Sequence, residues 1–233
     1  MLSRALTDET VEVDLTAREV DFGQVELSPE EVALIAVPSY SGRVPTVAAA
    51  RLAAMHGNGA RAVLLCVYGN RAYEDTLVEL RDKASGAGFK VIAAVAAVAE
   101  HSIARQYAAG RPDAEDEAML RSFAARIRRK IDDGGLDEPV IPGNRPYRKA
   151  AGAGIVPKAT RACVKCGLCA AKCPVGAIDA KEPARVDKSC ISCMRCVAVC
   201  PHHARRVNRL LLALVGRMLK KACSQRKACE LYL

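Results

Sequence analysis

Apolar residues in the first 131 positions gather into short runs separated by longer mixed stretches. Val11 to Leu15 (VEVDL) alternates, the pattern of a half-covered strand. Val32 to Val37 (VALIAV), Ala62 to Val67 (AVLLCV) and Val91 to Val98 (VIAAVAAV) are almost unbroken, as strands covered on both faces of a parallel sheet are. Helical patterns fill the intervals. Pro45 suits a first-turn position ahead of TVAAARLAAMH, with Gly57 to stop it. Asp113 suits the cap of AEDEAMLRSFAARIRRKI, in which Leu120, Phe123, Ile127 and Ile131 form one stripe, with acids in the first turn and bases in the last. The alternation of strand and helix predicts right-handed crossovers and an α/β, doubly wound parallel sheet over residues 1–133.

The pattern changes after that helix. Glycines and prolines over 134–157 predict a surface linker. Residues 158–207 lack long apolar periods. Within them VGAIDAKEPARVDKS predicts a short strand, a turn near Glu182-Pro183 and a second strand, the mark of a small α+β unit. Asn208 to Lys221 (NRLLLALVGRMLKK) reads as a helix that opens a C-terminal helix and tail over 208–233.

Charge and thiols change at the same place. Of 35 Lys/Arg and 26 Asp/Glu in the 233 residues, 16 and 4 lie after residue 150, so that part carries +12 and the first part −3. Ten of the eleven cysteines also lie there, leaving Cys66 in the first part. No apolar run approaches the roughly 20 residues that cross a bilayer, so no membrane insertion is expected. The opening MLSRALTDETVEVD lacks the basic start and apolar core of a signal peptide, so a cytoplasmic location is expected. In that reducing compartment the cysteines read as metal ligands or catalytic thiols rather than disulfides.

Their spacing selects the chemistry. Cys163, Cys166, Cys169 and Cys173 with Pro174 form C-x2-C-x2-C-x3-C-P, and Cys190, Cys193, Cys196 and Cys200 with Pro201 repeat it. In this bacterial iron-sulfur run three thiolates surround one 4Fe-4S cubane and the fourth ligates the other cluster. Cluster one is therefore expected on Cys163, Cys166, Cys169 and Cys200, and cluster two on Cys190, Cys193, Cys196 and Cys173. Structural zinc usually takes two C-x2-C pairs across a longer spacer, a poorer match to a tripled run that occurs twice. Cys66, Cys223 and Cys229 read as packing residues, and His202 and His203 as surface residues.

In open α/β sheets ligands sit beyond the carboxyl ends of strands. After the second run come Ser39, Tyr40, Ser41, Gly42 and Arg43; after the third come Tyr68, Gly69, Asn70 and Tyr73. Three of the six tyrosines lie in these loops, beside glycines that allow close backbone approach, as a planar aromatic ligand requires. Ordinary βα turns with half-buried tyrosines have the same composition, and both readings stay open.

The strings VPSYSGRVP (Val37 to Pro45) and VYGNRAYEDTLVEL (Val67 to Leu80) resemble the flavin-flanking loops of flavodoxin-like domains, in the version fused to a C-terminal bacterial-type ferredoxin. AEHSI at Ala99 to Ile103 and PGNRPY at Pro142 to Tyr147 fit the same fused family. The resemblance implies FMN between the two loops, with Tyr40 or Tyr68 stacking on it. One departure stands out: the Ser/Thr/Gly-rich loop that holds the FMN phosphate at a helix N-terminus is missing, and MLSRALTDET looks like the tail of the first helix.

The expected function is electron transfer through two 4Fe-4S clusters, coupled to FMN where it binds. The alternatives are a ferredoxin with a degenerate, non-flavin docking domain, and an FMN-dependent reductase of a small substrate. The basic positions Arg205, Arg206, Arg209, Lys220, Lys221, Arg226 and Lys227 carry no aromatic interleaving and sit in no nucleic-acid motif. They point to an acidic redox partner protein, because charge complementarity speeds transient docking.

Overall fold

A computed structural model describes residues 1–150, 152 and 154–233. Three parallel strands carry the first part: β1 (Val32–Pro38), β2 (Arg61–Tyr68) and β3 (Lys90–Val98). The nearly unbroken apolar runs form them, since β3 is buried along all but its first residue and β2 along most of its length. Helices α2 (Thr46–Ala53), α3 (Thr76–Gly86) and α4 (Ala114–Asp132) follow the strands in turn, and a short α1 (Leu2–Leu6) packs on α4. Asp113 caps α4 through a capping box in which its side chain accepts the N–H groups of Glu115 and Asp116, while Asp116 accepts that of Asp113. Leu120 and Ile127 of the stripe are buried, with Phe123 and Ile131 packed beside them.

Two expectations for this part need correction. Val11 to Leu15 forms no strand. It makes no ladder with another strand; the Leu15 carbonyl instead accepts from Arg51 Nη1 at 2.6 Å and Asp14 pairs with Arg195 at 3.1 Å. β1 is covered only in part, with Ile35 and Val37 buried and Val32 exposed, because it forms one edge of the sheet.

The opposite edge is closed by the end of the chain. Helix α7 (Arg209–Cys223) is capped by the Asn208 side chain, and β6 (Glu230–Tyr232) then runs antiparallel to β3, giving the sheet order β1-β2-β3-β6. The tail therefore completes the sheet of the first part.

A second, much smaller apolar cluster centres on Cys169, Ala170, Cys173, Ala177 and Ile178, between the short helices α5 (Leu168–Ala171) and α6 (Arg195–Ala198). Its two-stranded sheet pairs β4 (Lys158–Ala159) with β5 (Arg205–Arg206). The hairpin expected around Glu182-Pro183 shrinks to a single bridge between Ile178 and Val186. Residues so few and so apolar-poor cannot hold a fold alone, and bound metal commonly supplies the deficit. Arg18 Nη2 donates to the Ala170 carbonyl at 3.4 Å and Arg51 Nη2 to the Pro174 carbonyl at 3.0 Å, joining this unit to the first part. No helix among the described residues is long and apolar enough to cross a membrane.

Candidate metal centres

The two cysteine runs adopt one local conformation twice. Lys165 and Gly167 flank Cys166 with φ of 55° and 77°, and Ser192 and Met194 flank Cys193 with φ of 56° and 60°. Alternating left-handed and right-handed residues turn successive backbone N–H groups toward one concave side, a nest that suits an anion. Gly167 adopts this conformation at little cost, whereas Lys165, Ser192 and Met194 are strained there by order 1 kcal/mol each. Strain retained at matched positions of two half-units marks a site. The pseudo-symmetry continues downstream, where Gly176 and His203, each three residues after the last cysteine of its run, have φ of 66° and 47°. Ala177 accepts from Asp187 N at 2.7 Å, and Ala204 accepts from Thr160 N at 2.8 Å.

Two cavities lie within this frame. Cys163, Cys166, Cys169 and Cys200 line one; Cys173, Cys190, Cys193 and Cys196 line the other. The last cysteine of each run thus sits with the first three of the other. Among the described residues no three Cys, His, Asp or Glu side chains gather tightly enough to hold a single metal ion. Four thiols around one cavity are a donor set that fits a 4Fe-4S cubane. Ala204 N donates to Cys200 Sγ at 3.3 Å. Burial pushes the Cys200 thiol up, and the N–H groups of Ala204, His202 and Arg205 outweigh it, leaving the thiol below its ordinary value. Cys166 alone of the eight is exposed.

Arg205 is not the surface base expected. It is only 2% exposed, because it occupies the position that Ile178 holds in the first half: C-P-x-x-A-I there and C-P-x-x-A-R here. Its Nη1 donates to the Pro183 carbonyl at 2.5 Å and its Nη2 to the Pro157 carbonyl at 3.0 Å, while Nε is buried without a partner. Arg205 lines both cavities. Burial raises the Cys169 and Cys196 thiols, and the Arg205 charge opposes that rise at both. Two further predicted docking bases are also engaged within the chain: Arg226 pairs with Asp113 at 2.7 Å and with Glu115 at 3.0 Å, and Lys227 Nζ donates to the Arg71 carbonyl.

The loops expected to hold FMN are brought together, and their polar groups are spent on the chain itself. Ser39 Oγ bonds Thr76 Oγ1 at 2.8 Å. Ser41 (φ 54°) and Gly42 (φ 76°) make a tight turn closed by reciprocal Tyr40–Arg43 backbone bonds, and a Cβ on Gly42 would collide with the Glu74 side chain. Arg43 forms a fork on Glu79 at 2.6 and 2.8 Å. Tyr68 is buried with its ring edge-on to Tyr73 at 5.2 Å, and Gly69 packs against His101. Asn70 is bound on both ends by the last residue of α7 and the segment after it, and Tyr73 Oη donates to Glu230 Oε2 at 2.6 Å and lies 2.7 Å from Tyr232 Oη. Tyr40 is the exception: it turns toward the metal unit, where burial raises its hydroxyl, Cys193 adds to that rise and Arg195 opposes it. FMN does not fit these loops while the C-terminal segment engages Asn70 and Tyr73 and Glu79 engages Arg43.

Cys66, Cys223 and Cys229 are buried packing residues, and His202 and His203 lie on the surface. Spacing in the sequence gives Asp75 no role, yet it is buried and accepts Asn144 N at 2.9 Å and Arg148 N at 2.7 Å, strapping residues 144–148 to the start of α3.

A family model described as a 4Fe-4S dicluster domain matches residues 162–205. Comparison with curated proteins and with solved structures finds no match. Residues 162–205 are thus a ferredoxin-like iron-sulfur unit, set against a mixed α/β sheet.

Proposed function

We propose that the chain is an electron-transfer protein holding two 4Fe-4S clusters, one on Cys163, Cys166, Cys169 and Cys200 and the other on Cys173, Cys190, Cys193 and Cys196. The observation that carries this reading is the division of eight thiols into two cavities with the fourth cysteines exchanged. When bound, such clusters accept and release single electrons at little structural cost. The chain's own residues do the rest. Thiolates would fix the irons, the paired left-handed turns would present N–H groups to the sulfurs, and the Ala204 N–H already donates to Cys200 Sγ. Exposed Cys166 gives the first set an edge at the surface, where a partner can approach. The second set faces Tyr40 and the first part of the chain.

FMN has no place in this proposal, because Asn70, Tyr73 and Arg43 are already satisfied by Lys227, Glu230 and Glu79. The reading favoured is a ferredoxin whose α/β unit, 1–133, packs against and presents the cluster unit, 158–207, across the linker 134–157, with 208–233 returning to the sheet. The partner is an acidic redox protein in the cytoplasm. Arg206, Arg209, Lys220 and Lys221 remain exposed, beside the exposed apolar residues Leu210, Leu214 and Met218 of α7.

Anaerobic purification tests the proposal: a broad absorption near about 400 nm that bleaches with dithionite is expected of cubane clusters. A featureless spectrum from protein containing zinc would refute it.

A further inference from the structure

A guanidinium buried to 98% needs counter-charge, and Arg205 has none among the described residues. Its two terminal nitrogens donate to the carbonyls of Pro183 and Pro157, Nε has no aligned partner, and the Cys196 thiol lies within hydrogen-bonding reach of the guanidinium. A lone buried cation of this kind costs several kcal/mol in general. Yet it lines both thiol cavities at once. A cubane with its four thiolates carries about −2 when oxidised and gains another negative charge on reduction. The pseudo-symmetric position in the other half is occupied by Ile178, which is buried and neutral. The charge therefore belongs to one half-unit only, while its location serves both sets.

We infer that Arg205 is the shared counter-ion of the two clusters: its Nε–H donates to a cluster or thiolate sulfur and its charge raises the reduction potential of both. The inference rests on the cluster reading above. Arg205 tunes the clusters directly through its charge and N–H, neither ligating iron nor carrying the electron. A cation beside the site stabilises the reduced state more than the oxidised one, because the reduced state bears the extra negative charge. The carbonyls of Pro157 and Pro183 hold the two terminal nitrogens and leave Nε–H to donate elsewhere, a division of donors that lysine lacks.

The test uses the full chain, loaded anaerobically, with iron counted before any potential is read. Wild type without iron-sulfur absorption would end the cluster reading itself. With iron content equal to wild type, Arg205→Ile is expected to shift both midpoint potentials, read by EPR-monitored titration, to more negative values, and Arg205→Lys to shift them less. Unchanged potentials in Arg205→Ile at full iron would overturn the inference. Should Arg205→Ile load poorly, the unaltered Arg205 is read directly in protein carrying guanidino-15N arginine and Arg195→Lys, which removes the neighbouring arginine of the second run. A 15N hyperfine coupling at the dithionite-reduced clusters is expected, and its absence would overturn the inference.

Discussion

Asn70 Oδ1 accepts the backbone N–H of Lys227 at 3.0 Å, while its Nδ2 donates to the carbonyls of Cys223 and Gln225 at 2.8 Å each. One side chain at the end of β2 thus ties down the turn that delivers β6 to the sheet. Asn70→Ala leaves two carbonyls without their donor, at about 1–3 kcal/mol for buried groups. Hydrogen exchange is expected to quicken at Glu230–Tyr232, with the amides of β2 and the cluster absorption unaffected.

The same tie governs flavin. With Asn70 and Tyr73 engaged by 223–232, FMN added to the full chain is expected to keep its free fluorescence, as read by titration. Quenching in the low micromolar range would mean that the C-terminal segment yields to the ligand.

The three parallel strands were legible because continuous apolar runs have few other uses in a chain of this size, and Asp113 was legible because a cap residue followed by acids announces a helix start. β6 was not: its three residues become a strand only because β3 has an open edge beside them. Val11 to Leu15 shows the reverse, an alternating segment that pairs with no strand and is held by side chains instead. The cysteine positions were legible from spacing alone. The burial of Arg205 was hidden by its basic neighbours, although aligning the two C-P-x-x-A strings on each other would have placed it opposite Ile178.

Arg111 and Asp116 form a buried fork, with Nε to Oδ2 at 2.7 Å and side chains 5% and 1% exposed. Asp116→Ala leaves the arginine without its partner and is expected to cost about 3–5 kcal/mol, whereas Arg111→Met with Asp116→Leu is expected to cost less. Denaturant unfolding followed by tyrosine fluorescence measures both, as the chain contains no tryptophan.

Acid should act through the same pair. The Arg111 guanidinium, against the opposing effect of burial, holds the Asp116 carboxyl below its usual value. A depressed folded value means that the contribution is complete above the unfolded value of about 3.9 and is lost as pH falls through the folded one. Asp116→Asn is therefore expected to be less stable than wild type near neutrality, with the difference narrowing below about pH 4.

Cys200 and Cys223 lie on opposite sides of the proposed ligand boundary. Cys200→Ala should weaken the set completed by Cys163, Cys166 and Cys169, lowering iron toward about four per chain. Cys223→Ser, a change at a buried packing thiol, should leave iron unchanged even if stability falls. Colorimetric iron and sulfide assays on both variants separate the two classes of cysteine.

The most direct measurement is the iron and acid-labile sulfide content of the anaerobically prepared full chain, taken with its EPR spectrum after dithionite. About eight irons and eight sulfides per chain, with signals of two interacting reduced cubanes, are expected. Stoichiometric zinc, or iron without labile sulfide, would contradict the two-cluster account.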